Sequence, residues 1–414
     1  MKPRIPTIVF VLAAAAAVLF SAVSTYDFVQ HLDRQLHGIH CSFVPGLGAL
    51  DASGASGCHA ALMSPWSSVL RKAIWGGIPI ALPGLAVYAF LLFRGLDLWL
   101  NRREGSRNAT FFLVAASLLP VIASIAMGGI ALGLIGELCK LCVGMYVASF
   151  VMFGAALWAW LAARKAGPAA APEDADFAMK PHVLSFLEGM GFVLLSVVVY
   201  LLLVPDASAF VGTCGALKKT ADPYGIMVPL DARSGGKTMI EVMDPLCPAC
   251  RGFERRLDAS GLGEQVHRLA VLMPLDDTCN WMVSSAVHPG ACAVSEAVLC
   301  AGDQATAVLD WAFLNQEAVR DAAAKDPNAA AEMVKAAFPA VASCVGTPAV
   351  RSKVNKSLRW AVSNQLPVLM PQVFVDGVRL CDEDTDLGMD FALSRLIEGK
   401  VAAPAVPAKK EEKR

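Results

Sequence analysis

Two cysteine pairs carry the chemistry available to this sequence, Cys139-Lys-Leu-Cys142 and Cys247-Pro-Ala-Cys250. Two thiols with two residues between them can close into a disulfide when the second lies in the first turn of a helix. Helix N-terminal amides also favour thiolate there. The first pair follows a run of about 28 uncharged residues, Ala109 to Gly136, and opens an apolar run of about 20, Val143 to Ala163. Runs of that length read as transmembrane helices, so this dithiol sits where one span hands over to the next. A redox pair at a membrane surface with an apolar bundle behind it points to exchange with a lipid-soluble electron carrier. The competing reading is two small residues packing at a helix end.

The second pair has a different setting. Thr238 to Met243 reads as a buried strand, Arg251 to Leu257 as a helix, and Cys247-Pro-Ala-Cys250 lies between them. Strand, dithiol and helix in that order are the thioredoxin-type arrangement. Cys247 is then the exposed nucleophile and Cys250, one turn in, the shielded resolving thiol. Met370-Pro371 precedes a strand about 120 residues later, where such a fold needs a cis-proline beside the dithiol. A zinc knuckle is the rival, but a structural zinc takes four ligands. No second Cys-X-X-Cys or suitably spaced His pair occurs in this region.

The elements that position these pairs follow from composition and charge. The 414 residues are 56% hydrophobic and 17% charged, too apolar for an ordinary soluble chain. A formal net charge of -1 gives no basic field for nucleic acid. Spans are expected over the first 24 residues, over Ala73 to Phe93, on both sides of Cys139 and Cys142, and over Val183 to Val204. The first is read as retained, although Ala22-Val-Ser24 would suit a signal peptidase. The N-terminus, the 94–107 loop and the 164–182 linker are the basic segments and are assigned to the cytoplasm. Five spans then put the Cys41/Cys58 loop, the Cys139/Cys142 turn and everything after Val204 outside. All twelve cysteines fall on that side or at its surface, which suits an oxidising compartment.

The expected organisation is a four-helix membrane domain over 1–163, a linker over 164–182, a fifth helix over 183–204 and a second linker over 205–236. An α/β thioredoxin-like domain over 237–400 follows, with a helical insertion at about 278–366, and then a disordered tail over 401–414. The strand at Met370 to Gly377 closes in an Asp-Gly hairpin, and Leu387 to Glu398 forms a last helix. Cys214, Cys279, Cys292, Cys300, Cys344 and Cys381 are read mostly as structural bridges, in any of 15 pairings. Cys292 and Cys300 lie about 12 Å apart by helical rise, too far to pair directly.

The membrane half resembles the vitamin K epoxide reductase family over roughly residues 6 to 163. The residues that carry the resemblance are Gly57-Cys58-His-Ala-Ala-Leu-Met-Ser64-Pro-Trp66 and Cys139-Lys-Leu-Cys142-Val-Gly-Met-Tyr146. It implies that Cys139 and Cys142 are the active-site pair and that Cys41 and Cys58 are a shuttle pair. Ser64 and Tyr146 would then be the hydroxyls that bind the carbonyls of a quinone, ubiquinone or menaquinone. The soluble half is similar to the DsbA-type periplasmic disulfide oxidoreductases, with Cys-Pro-Ala-Cys in place of their usual Cys-Pro-His-Cys. From the residues themselves, a quinone site needs apolar walls and a few donors, and Ser64 and Tyr146 supply O–H groups.

The expected function is a disulfide-generating oxidoreductase of the inner membrane. It would take electrons from secreted or periplasmic proteins with free cysteines and pass them to the membrane quinone pool. An alternative makes it a quinone or quinone-epoxide reductase fed by its own thioredoxin domain. A further alternative is a metal-binding scaffold using cysteines with His37, His40 and His59; no metal site is assigned.

Overall fold

The computed structural model describes residues 4–35, 37–43, 50–51, 56–166, 179–231 and 235–401. Most of the 164–182 linker and all but Val401 of the 401–414 tail lie outside the described residues. The chain divides into two compact units, Met1–Ala207 and Ser208–Arg414.

The first unit is helical. Its long helices are α1 (Arg4–Gln30), α3 (Ala81–Leu100), α4 (Arg107–Ile130), α5 (Lys140–Ala166) and α6 (Met179–Leu203), with a short α2 (Gly57–Leu62). Five helices, the long ones, are long and apolar enough to cross a membrane. In lipid, helices gain little from burying apolar surface and associate by close packing of small residues. Ala13, Ala14 and Ala17 on α1 and Ala148, Ala155 and Ala156 on α5 are buried, and α1 and α5 pack along their length. Two short ribbons decorate one end, β1 (Ile39–His40) with β2 (Leu50–Asp51), and β3 (Ser68–Val69) with β4 (Ile78–Pro79). On α6, Glu188 meets Arg94 of α3 at 3.7 Å, a partner for the one acid of the fifth span.

The second span starts later than expected. Ala73 to Pro79 is not helical, because Gly76 and Gly77 adopt φ of 67° and 78° and β4 follows them. Only glycine enters that region without strain. Pro79 therefore lies before the helix, and Pro83 falls in its first turn, where no N–H is needed.

The second unit is an α/β thioredoxin-like fold. Strands β5 (Val228–Pro229), β6 (Thr238–Met243), β7 (His267–Leu272), β8 (Gln372–Val375) and β9 (Val378–Arg379) form one sheet in the order β5-β7-β6-β8-β9. The central β6 is parallel to β7 and antiparallel to β8, so it is hydrogen-bonded on both edges. Covered on both faces, it reads as an apolar run rather than an alternating one. After β6 comes α7 (Pro248–Ser260), whose buried Cys250, Phe253 and Leu257 recur at helical spacing. Helices α8 (Ala291–Cys300), α9 (Ala305–Leu314), α10 (Gln316–Ala323), α11 (Ala329–Ala337) and α12 (Pro348–Ser363) form the insertion, and α13 (Met389–Ile397) closes the chain.

The insertion becomes helical at Ala291, not Thr278. Residues 278–290 form an irregular loop organised by Asp276, whose carboxylate accepts from Thr278, Gly290 and Cys292. The six bridging cysteines pair as Cys214–Cys381, Cys279–Cys292 and Cys300–Cys344. The second ties this loop to α8, and the third ties the end of α8 to the turn before α12. β5 has no counterpart in the sequence reading. Two residues are too short for a period-2 pattern to be seen.

Candidate functional site

In the first unit, Cys139 immediately precedes α5 and Cys142 lies in its first turn. The Cys142 N–H donates to the Cys139 sulfur at 3.3 Å, so a helix N-terminal amide faces the thiol. Both are free; Cys139 is buried and Cys142 partly so. The short α2 carries Cys58, which is bonded to Cys41, and is capped by Ser56, whose hydroxyl accepts from His59 N at 3.2 Å. Gly57 permits this placement: a Cβ there would lie 2.4 Å from the Leu138 carbonyl oxygen. A side chain at 57 would push Cys58 away from the backbone that leads into Cys139.

Cys58, Cys139 and Cys142 line one cavity of about 150 Å³ together with Ser64 and Tyr146. Its walls include Phe28, Ile39, Leu62, Met127, Ile135 and Leu141. Ser64 Oγ donates to Ala61 O at 2.8 Å, so that hydroxyl presents acceptor lone pairs until it rotates. Sequence reading missed five further polar residues of this lining, Ser24, Asp27, Ser67, Tyr88 and Ser124. Tyr88 and Ser149 share a hydrogen bond at 2.9 Å, and Ser124 donates to Pro120 O at 2.7 Å. Their signal was a polar residue inside an apolar run, which sequence alone cannot separate from a helix back-bond. A flat apolar ring with two acceptor oxygens, such as a quinone headgroup, fits apolar walls bearing a few hydroxyls.

The loop histidines face carboxylates. His40 Nδ1 lies 2.6 Å from Asp27 Oδ1, and His37 Nε2 lies 2.9 Å from Asp33. Among the described residues the group with metal-ligand proximity is Cys214, Cys381 and Glu383, and its two sulfurs are bonded to each other.

In the second unit Cys247 is the N-cap of α7 and Cys250 lies one turn in. Both are free and both are buried, so Cys247 is not the exposed thiol expected from the sequence, because the loops around the start of α7 cover it. The Met370–Pro371 bond is cis. Two buried glutamines hold loops, one at the dithiol and one before the cis-proline. Gln316 Nε2 donates to Pro245 O at 3.1 Å and Cys247 O at 2.9 Å, and Gln372 Nε2 donates to Pro367 O and Leu369 O, both at 2.9 Å. Asp244, fully buried, accepts from Leu246 N and Leu275 N at 2.7 Å and from His288 Nδ1 at 2.8 Å.

The two thiols are split electrostatically. A hydrogen bond from Cys250 pulls the Cys247 thiol down to about 7 against the effect of burial, helped by the Cys250 amide and the His288 charge. Burial, and then the bond to Cys247, push Cys250 well up. One thiol is therefore poised to react near neutral pH while its neighbour holds its proton. His288 is itself held above its ordinary value: burial acts against the charge, but the bond and charge of Asp244 outweigh it. Deeper in, Arg268 bonds Glu241 at 2.7 and 3.0 Å and Glu254 at 2.5 Å. Burial, then Glu241, raises the Glu254 carboxyl well above its usual range. Asp244, His288, Gln316 and the acid–arginine cluster carried no recognisable spacing in the sequence, because β6, α7, β7, α10 and two separate loops supply them.

These geometries pair a helical unit, whose five long helices are apolar enough to cross a membrane and which holds a free dithiol at a helix start, with a thioredoxin-like unit holding a second free dithiol. Residues 8–157 match the model described as the Vitamin K epoxide reductase family, and the helical unit carries a domain of that family. Among solved structures the chain is similar to oxidoreductase DsbA from Xylella fastidiosa, at 16% identity and a TM-score of 0.32, covering 42% of this chain and 92% of that one. No curated protein matches.

Proposed function

We propose that the protein generates disulfides in proteins outside the cytoplasm and passes the electrons to a membrane quinone. A substrate thiol attacks the Cys247–Cys250 disulfide at Cys247 and the substrate's second thiol releases the reduced pair; Cys247 then attacks the loop disulfide and Cys250 resolves that adduct. The Cys41–Cys58 pair relays the electrons to Cys139–Cys142. Each step is thiol–disulfide exchange through a mixed disulfide. The observation that carries this reading is the single cavity shared by Cys58, Cys139, Cys142, Ser64 and Tyr146. When bound there, a quinone would supply the terminal two-electron acceptor. Ser64 and Tyr146 would orient it through its oxygens, and the apolar walls would exclude water. Direction follows from potential differences, since a step of about 100 mV shifts an exchange equilibrium by more than three decades.

Charge bias supports an orientation. Arg94, Arg102, Arg103 and Arg107 lie at the facing ends of the second and third spans and in the turn that joins them, and Arg164, Lys165 and Lys180 at the facing ends of the fourth and fifth. With both segments cytoplasmic, the N-terminus is cytoplasmic and the thioredoxin-like unit extracytoplasmic. The test is quinone reduction by purified protein supplied with a reduced dithiol peptide. Wild type should reduce ubiquinone or menaquinone, and Cys142→Ala should not. Reduction at the wild-type rate by Cys142→Ala would overturn the scheme, and activity on an epoxide in its place would favour cofactor recycling.

A further inference from the structure

Asp27 is an acid near the end of a membrane-length helix, 2% exposed, on the wall of the cavity that holds Cys58 and Cys139. Ionisable groups at such positions are costly and are retained where they have a partner or a task. Its partner is His40, which binds it twice: ring Nδ1 to Oδ1 at 2.6 Å and backbone N–H to Oδ2 at 2.9 Å. The His40 side chain is 30% exposed, so the pair runs from the cavity wall towards the aqueous side. His40 also directly precedes Cys41. Around it, His31 Nδ1 meets the Asp27 carbonyl at 2.7 Å and the Tyr26 ring lies edge-on to His40. Neither occupies the carboxylate.

We propose that the Asp27 carboxylate, oriented by His40, is the acid–base group that moves protons during disulfide transfer between Cys41–Cys58 and Cys139–Cys142. This rests on the relay reading above. Starting from the reduced loop pair, the Cys58 thiol gives its proton to Asp27 as its sulfur bonds to Cys139. The Cys139–Cys142 bond breaks and its electron pair leaves on Cys142. Cys41 then attacks Cys58, its proton passing through His40 to water. The Cys41–Cys58 bond closes, and the Cys139 thiolate leaves and takes the proton back from Asp27. The loop pair is oxidised, the helix pair is reduced, and Asp27 is regenerated. The disulfide pattern of the structure is the product side of this step, with Cys41–Cys58 closed and Cys139 and Cys142 free.

The experiment needs no quinone. Oxidised full-length protein in detergent is mixed with dithiothreitol, quenched in acid, alkylated and digested, and mass spectrometry follows both pairs. Their two time courses separate loading of the loop pair from transfer to Cys139–Cys142. Asparagine at 27 can keep both bonds to His40 but cannot take a proton, so Asp27→Asn separates a structural tie from proton transfer. Transfer should slow by roughly 100-fold in Asp27→Asn, the scale of a lost general base. Added acetate should restore it in Asp27→Ala. Transfer at the wild-type rate in Asp27→Asn would overturn the proposal. If the Asp27 variants do not fold, His40→Ala with and without imidazole replaces them: rescue supports the proposal, and a wild-type rate without imidazole overturns it. If wild type moves no electrons from the loop pair to Cys139–Cys142, the relay reading itself fails and takes this step with it.

Discussion

His288 gives a sharp test of how the fold tunes Cys247. In His288→Ala the buried Asp244 loses the partner at 2.8 Å and its charge faces the dithiol without a counter-charge. The His288 cation acts on Cys247 as a charge, alongside stronger bonds to Cys250, so the expected rise is about one unit, the low end for a neighbouring charge. From about 7, that rise cuts the thiolate at neutral pH from roughly half to roughly a tenth. The more basic thiolate is about threefold more nucleophilic, so the net alkylation rate at pH 7 falls by only about twofold. Well above both values the order reverses, and the variant reacts about threefold faster. Iodoacetamide labelling of the reduced protein from pH 5 to 10, read on the peptide carrying Cys247, should therefore give two curves that cross. An unshifted midpoint, or curves that do not cross, would refute the assignment of His288 to the dithiol.

The remaining expectations concern the relay and the frame around it. With Cys250→Ala nothing in the thioredoxin-like unit resolves an adduct, so a Cys247–Cys41 disulfide should accumulate within one chain, at a yield independent of protein concentration and readable by mass spectrometry. Gly57→Ala places a Cβ 2.4 Å from the Leu138 carbonyl. It should slow transfer from Cys58 to Cys139 at least tenfold, while quenched-flow assays show Cys247 exchanging with peptide as before. Arg268→Ala leaves Glu241 and Glu254 buried without their cation and should cost about 3–5 kcal/mol in denaturant unfolding. The loss should grow as pH rises above the unfolded Glu range of about 4.3. A carboxyl whose folded pKa is raised favours the fold while protonated and loses that contribution as it ionises.

What the sequence determined by itself was the part of this protein written in consecutive residues. Five apolar runs long enough to span a membrane, Cys139-Lys-Leu-Cys142 between two of them, and a strand, Cys-Pro-Ala-Cys and helix in series are each local signals. Each is set by one element's own period, and Met370-Pro371 was legible for the same reason. Where a local breaker intervened, as at Gly76-Gly77, the apolar run misplaced the helix start by eight residues, from Ala73 to Ala81. Pairing of the six structural cysteines was open because 15 arrangements satisfy the same sequence, and backbone geometry selects one. Only the tertiary structure brought Asp27 to the cavity wall with His40 against it, and Asp244 and His288 to the second dithiol. A buried acid is tolerable only against a partner, and here the partners lie 13 and 44 residues away, on elements whose meeting no local pattern records.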